Sequence, residues 1–208
     1  IRNEWIDKLK ATIDKHTAVI VKGVSGQGKT ALCLRYLFDN YPEQLVFCVR
    51  HIHTSNQAEN LVAALQGIIS HAKDIILFID VNPGETDWTL LLQELQARGA
   101  SVPILVAIRE EDFKLSKVDT SIITFNVIDL TLSRVEAEHI YNSLTLDKPH
   151  NAFRSFEEAW QQFGEEGPFL EFMYLINNNQ SLRKRLSAQI DRLISERNPD
   201  SWLMLLSL

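Results

Sequence analysis

Eight consecutive residues near the start of the chain, Gly23-Val24-Ser25-Gly26-Gln27-Gly28-Lys29-Thr30, restrict what it can fold into more than any other stretch. They satisfy the phosphate-loop pattern G-x-x-x-x-G-K-[ST]. The segment before them, Thr17-Ala18-Val19-Ile20-Val21, is apolar and β-branched and reads as a buried strand. The segment after them, Ala31 to Phe38, reads as a helix. In a strand, glycine-rich turn and helix, successive backbone N–H groups converge on an anion that the helix N-terminus also faces. The turn Gly23, Ser25, Gly26, Gln27, Gly28 and the helix start Ala31 would cradle phosphate. Lys29 would reach the β- and γ-phosphates, and the Thr30 hydroxyl would ligate Mg²⁺. A nucleotide with Mg²⁺ is therefore the expected ligand.

Around this loop, strand and helix signals alternate. Asn3 is a candidate cap for a first helix with Trp5, Ile6, Leu9 and Ile13 on one face. The helix after the loop should stop near Asp39-Asn40-Tyr41-Pro42. Leu45–Val49 reads as the second strand. Asn56 and Glu59 have capping-box spacing ahead of the stripe Leu61, Ala64, Leu65, Ile68. Ile75–Asp80 is an apolar third strand ending in an acid. Thr86 or Asp87 opens a helix carrying Trp88, Leu91, Leu92 and Leu95, with Gly99 at its end. The fourth strand runs from Pro103 to Ile108 and ends at Arg109, and the fifth spans Ile122 to Val127. This alternation predicts a parallel sheet with helices on both faces over residues 1–130.

From residue 131 to 208 the strand signal disappears and an all-helical subdomain is expected. Ser133 with Glu136 and Ser155 with Glu158 form capping boxes. Ala137, Ile140, Tyr141 and Leu144 mark one helix, and Leu182, Leu186, Ile190, Leu193 and Ile194 a longer one. The run Trp202-Leu203-Met204-Leu205-Leu206-Ser207-Leu208 leaves apolar side chains at the very end, as expected of a fragment of a larger protein.

Composition narrows the partners. Hydrophobic residues make up 45% and charged residues 23%, ordinary for a globular chain, and the net charge of -6 argues against holding nucleic acid by bulk charge. Arg183-Lys184-Arg185 reads as a solvated helix face rather than a nucleic-acid contact. Cys33 and Cys48 read as buried apolar residues of a reducing, cytoplasmic protein. The sequence contains no apolar run long enough for a membrane helix. His51 and His53 share a strand face with no third ligand in view, so they read as solvated histidines on the surface rather than a metal site.

The second half of the nucleotide site is read from strand ends. Asp80, closing the third strand, would hold Mg²⁺ directly or through water, or else cap the turn at Asn82-Pro83-Gly84. Arg109, at the carboxyl end of the fourth strand where ligands of open α/β sheets bind, would contact a γ-phosphate, or pair with Glu110, Glu111 or Asp112. Pro168 either starts a helix or packs on adenine. Lys29, Asp80 and Arg109 are the candidate catalytic groups.

With these residues placed, the chain resembles the STAND class of P-loop ATPases, relatives of AAA+ proteins that include the NB-ARC and NACHT families. Ile104 to Arg109 is similar to the class's sensor strand. Ile128 to Ala137 is similar to its entry into the helical domain, and Gly167-Pro168-Phe169-Leu170 to its Gly-x-Pro motif, here with Gly and Pro adjacent. Ile1-Arg2-Asn3-Glu4 is similar to the end of its upstream Gly-Arg motif. The last two likenesses imply that Pro168 and Arg2 respectively are nucleotide contacts. The resemblance implies a P-loop sandwich with strand order 5-1-4-3-2 and a helical lid closing over the nucleotide. It also implies winged-helix and repeat-sensor domains downstream. In such switches ADP holds a closed monomer, and ATP permits homo-oligomerisation.

Other classes remain as alternatives. An AAA+ initiator or loader would act on DNA, and a non-hydrolysing scaffold would use nucleotide only to stabilise its fold. No Arg-rich lid suggests a small-molecule kinase. The Asn-Lys-x-Asp and Asp-x-x-Gly patterns of a GTPase are missing.

Overall fold

The computed structural model describes residues 2–15, 18–42, 45–69, 75–99, 102–116, 118, 124–145 and 153–195. They belong to two compact units, Arg2–Thr131 and the residues from Leu132 onward.

The first unit is α/β. Its elements are α1 (Asn3–Ile13), β1 (Ala18–Gly23), α2 (Lys29–Asn40), β2 (Leu45–Val49), α3 (Ser55–Ile69), β3 (Ile75–Asp80), α4 (Trp88–Ala97), β4 (Ile104–Arg109), α5 (Glu110–Leu115) and β5 (Asn126–Asp129). The strands form one sheet in the order β2-β3-β4-β1-β5, and every pairing is parallel. Side chains alternate across the sheet, so the strands feed two cores. Val19, Val21, Ile76, Phe78 and Leu105 pack with Leu9, Leu32 and Tyr36 from α1 and α2. Ile20, Leu77, Ile79, Val106 and Ile108 pack with Val62, Leu65, Leu91 and Leu95 from α3 and α4. Cover on both faces is why β1, β3 and β4 are apolar nearly throughout instead of alternating. The register sets Gly23 opposite Arg109 and Asp80 opposite Ala107, which gathers the carboxyl ends of β1, β3 and β4 along one rim.

Several local expectations shift. Thr17 and Ile122-Ile123 lie outside the described residues, and β5 begins at Asn126 instead of running up to Val127. Its polar end is fixed by pairing with β1, where Asp129 meets Lys22 at 2.7 Å. An apolar pattern carries no trace of such an ion pair. Asn3 is the first helical residue of α1, and Arg2 occupies the N-cap without a side-chain cap. The cap of α3 lies two residues before the expected Asn56 and Glu59. Thr54 Oγ1 accepts from Gln57 N–H at 3.2 Å, and Gln57 Oε1 accepts from His53 N–H at 2.8 Å. The buried stripe of α3 is accordingly Ala58, Val62 and Leu65, and Ala64 is exposed. The helix α5 was not foreseen. Its first turn is Glu110, Glu111 and Asp112, acids suited to a helix N-terminus. Cys33 is buried as expected, but Cys48 is exposed. It sits on the edge strand β2, which has a neighbouring strand on one side only.

The second unit is helical over its described residues: α6 (Arg134–Thr145), α7 (Phe156–Phe163), α8 (Phe169–Asn178) and α9 (Leu182–Ser195). Ser133 Oγ accepts from Glu136 N–H at 3.2 Å, and Ser155 Oγ from Glu158 N–H at 3.3 Å, so both serines cap their helices, while the Glu158 carboxylate takes the Arg154 N–H at 2.8 Å. Trp160, Phe163 and Phe172 form an aromatic cluster inside α7 and α8, with ring centroids 5.2 to 5.9 Å apart. Arg183, Lys184 and Arg185 lie on an exposed helix, and Arg185 donates to the Tyr174 hydroxyl at 2.7 Å. The terminal run Trp202–Leu208 lies outside the described residues. No described helix is long and apolar enough to cross a membrane.

Candidate functional site

The site begins where β1 ends. Leu130 N–H donates to the Lys22 carbonyl at 2.7 Å, which draws the backbone after β5 across Gly23. A Cβ on Gly23 would stand 2.6 Å from the Leu130 carbonyl oxygen. Only glycine fits without moving backbone. Gly23→Ala is expected to destabilise the α/β unit by ~1–3 kcal/mol, the usual range for overpacking. Urea unfolding measures it, and a midpoint equal to wild type would show that the two backbones part freely.

Beyond Gly23 the chain folds back on itself. Gln27 N–H returns to the Val24 carbonyl at 3.3 Å, and Gly26 and Gly28 take φ of 79° and 77°, a left-handed conformation that favours glycine. The helix α2 then starts at Lys29, directing its N-terminal N–H groups at the rim. Here the loop meets the ends of β3 and β4. Ser25, Gly26, Gly28, Lys29, Thr30 and Ala31 line a cavity of about 350 Å³ together with Asp80, Val81, Ala107, Ile108 and Arg109. Gly23 and Gln27 do not line it; they shape the loop from behind.

Three polar contacts organise this cavity. Thr30 Oγ1 donates to Asp80 Oδ1 at 2.9 Å. Lys29, largely buried, folds over the loop, and its Nζ donates to the Val24 carbonyl at 3.0 Å. Burial pulls the Lys29 pKa below the ordinary lysine value and Arg109 adds to the effect, while Glu111, Asp80 and Asp112 oppose it. Arg109 forks onto Asp112, with Nε 2.6 Å from Oδ2 and Nη2 3.2 Å from Oδ1, and Glu111 stands 3.7 Å away. Arg109 thus lines the cavity and also makes the ion pair that was its other reading. Hydrogen bonding to Asp112 raises the guanidinium pKa further, and the same bond holds the Asp112 carboxyl below its ordinary value against its burial. Asp112 is only 2% exposed, and its Oδ1 also takes the Gly84 N–H at 3.0 Å. It therefore ties the turn after β3 to Arg109. In the sequence Asp112 is one of three acids, with Glu110 and Glu111, that follow Arg109 directly. Its place at the third position of an unforeseen helix is what singles it out.

The outlying residues divide. Arg2, in a left-handed conformation with φ of 67°, donates through Nη1 to the Gln27 carbonyl, which sets its guanidinium against the phosphate loop. Pro168 belongs to the helical unit, where it holds the N-cap position of α8. His51 and His53 do not share a strand face as expected, because β2 ends at Val49 and both lie in the segment that follows it. His51 Nδ1 lies 2.7 Å from Glu85 Oε1.

The donor set fits a nucleotide phosphate with a hard divalent cation. Mg²⁺ takes oxygen ligands at about 2.0–2.1 Å in an octahedron, whose adjacent ligands are then about 2.9 Å apart. Thr30 Oγ1 and Asp80 Oδ1 have that spacing. Lys29 and the backbone N–H groups of the loop supply the donors an anion needs. No protein-family model matches the chain, and comparison with curated proteins gives no match either.

Proposed function

We propose that the chain is the nucleotide-binding switch domain of a STAND-class signal-transduction ATPase, binding ATP or ADP with Mg²⁺ and hydrolysing ATP slowly. The bond between Thr30 and Asp80 carries this reading. Two side-chain oxygens 50 positions apart in sequence meet at 2.9 Å, beside Lys29 and the glycine-rich loop. The sheet order, taken from its other edge as 5-1-4-3-2, supports a P-loop sandwich. Arg2 against the loop and Arg109 on the cavity wall support the class-level resemblance.

Each residue then has a task. The loop amides hold phosphate, and Lys29 leaves the Val24 carbonyl to meet the β- and γ-phosphates. Thr30 and Asp80 hold Mg²⁺, which neutralises phosphate charge. Arg109 registers the γ-phosphate. Downstream sensor domains, ATP-dependent homo-oligomers and a cytoplasmic setting all belong to the same proposal.

Titration with ADP and GDP tests it. Lys29→Ala removes a charge-assisted contact of a class worth about 1.5–3 kcal/mol, so ADP affinity is expected to fall roughly ten- to a hundred-fold. Wild type should prefer ADP to GDP. Equal affinity of both proteins for both nucleotides would overturn the proposal.

A further inference from the structure

The rim of the sheet carries a second cluster, away from the phosphate loop. We propose that His51, His53 and Glu85 form a binding site for a first-row divalent transition cation, with Zn²⁺ as its representative. The three ligand atoms lie within 4.8 Å of one another. They come from two segments, the stretch between β2 and α3 and the turn after β3. This is why the histidine pair had no visible third partner in the sequence: Glu85 stands 34 positions beyond His51.

The geometry is close to what such an ion needs. Zinc bonds to imidazole nitrogen and carboxylate oxygen are about 2.0–2.2 Å, which puts tetrahedral ligand atoms about 3.3–3.5 Å apart. His51 Nδ1 and Glu85 Oε1 start at 2.7 Å, and the two imidazoles stack with centroids 5.6 Å apart and planes 20° from parallel. Small rotations of partly exposed side chains convert this cluster into a coordination triangle. A fourth position is left for water, as in open two-histidine, one-carboxylate sites.

The ligands are also held from behind, as metal ligands usually are. Glu85 Oε2 accepts from the Asn82 backbone N–H and from Asn82 Nδ2, both at 3.3 Å, which leaves Oε1 turned to His51. Asn82 Nδ2 donates to the Arg50 carbonyl at 3.1 Å and joins the two segments. The His53 N–H is fixed by Gln57 Oε1, part of the cap of α3. Partial burial pushes the Glu85 carboxyl up, but the bonds from His51 and Asn82 outweigh it and keep the group below the ordinary glutamate value, ready as an anionic ligand. Two imidazoles select a borderline transition ion over Mg²⁺ or Ca²⁺, which prefer all-oxygen sets. Binding there would lock the turn at Asn82-Pro83-Gly84 to the segment before α3. The site does not depend on the nucleotide proposal.

The test is calorimetric titration of tag-free, chelator-washed protein with ZnCl₂ in excess Mg²⁺, so that the oxygen pair at Thr30 and Asp80 is already supplied with its preferred ion. One Zn²⁺ per chain is expected. Removing a direct ligand by His53→Ala or Glu85→Gln should weaken binding by more than the ~10–100-fold that loss of an outer-shell partner costs. His53→Ala leaves the bond between His51 and Glu85 in place, so its loss of binding cannot be laid to a collapsed turn. Lys29→Ala should retain wild-type zinc affinity. Failure of wild type to bind zinc, or equal binding by wild type, His53→Ala and Glu85→Gln, would overturn the site.

Discussion

ATP hydrolysis by the purified chain is expected to be about 10³–10⁵-fold slower than the ~10 per second typical of enzymes, even in a single turnover. Fast P-loop hydrolysis needs a group that orients the attacking water and a cation that stabilises charge leaving the γ-phosphate. Among the described residues lining the cavity, Asp80 is the sole acid, and it is bonded to Thr30. The residue after it, Val81, is buried and cannot orient water. The next acid, Glu85, directs its carboxylate to His51 and Asn82. Asp87 sits at the N-cap of α4. Arg109 is held by the Asp112 fork through Nε and Nη2. An arginine supplied by a second copy would restore the missing factor. Quenched-flow single-turnover measurement, with Glu85→Gln and Asp87→Asn alongside, decides the matter. A wild-type rate near ~10 per second would overturn this account. Loss of that rate in one variant would identify the base.

Phe172→Ala should cost the helical unit about 3–5 kcal/mol, the range for removing a buried aromatic ring. Phe172 is fully buried in α8 and packs edge-on against Trp160 and Phe163 of α7, at 5.9 and 5.2 Å. Edge-to-face pairs of this kind add about 0.5–1.5 kcal/mol beyond the buried area. The cavity left behind cannot be refilled by stiff rings that already touch. Hydrogen exchange at the amides of α7 and α8 reads the loss as faster opening. Protection unchanged to within about 1 kcal/mol would mean that α8 is not held by this cluster. Phe172→Leu, which keeps most of the volume, should cost far less.

The sequence by itself determined the layered plan and the centre of the site. Strands buried on both faces must be apolar throughout, so Ile75–Asp80 and Ile104–Arg109 were legible without any tertiary knowledge. Glycines at left-handed positions and a lysine opening a helix leave a local signature, so the loop from Gly23 to Thr30 was legible too. The capping boxes at Ser133 and Ser155 are likewise local events of three residues.

What only the tertiary structure decided depends on pairs distant in sequence. The meeting of Thr30 with Asp80 follows from β3 lying next but one to β1 across β4. The choice of Asp112 for Arg109 follows from α5, a helix too short to show periodicity, and from the Gly84 N–H that shares the same carboxylate. The extent of β5 was set by Lys22 and Asp129, a cross-strand ion pair that hydropathy does not register. Cys48 is exposed because β2 ends the sheet, and edge position is a property of topology rather than composition. His51 and His53 gained a third neighbour in Glu85 for the same reason: β2 and β3 are adjacent, so the segments that leave them share one rim.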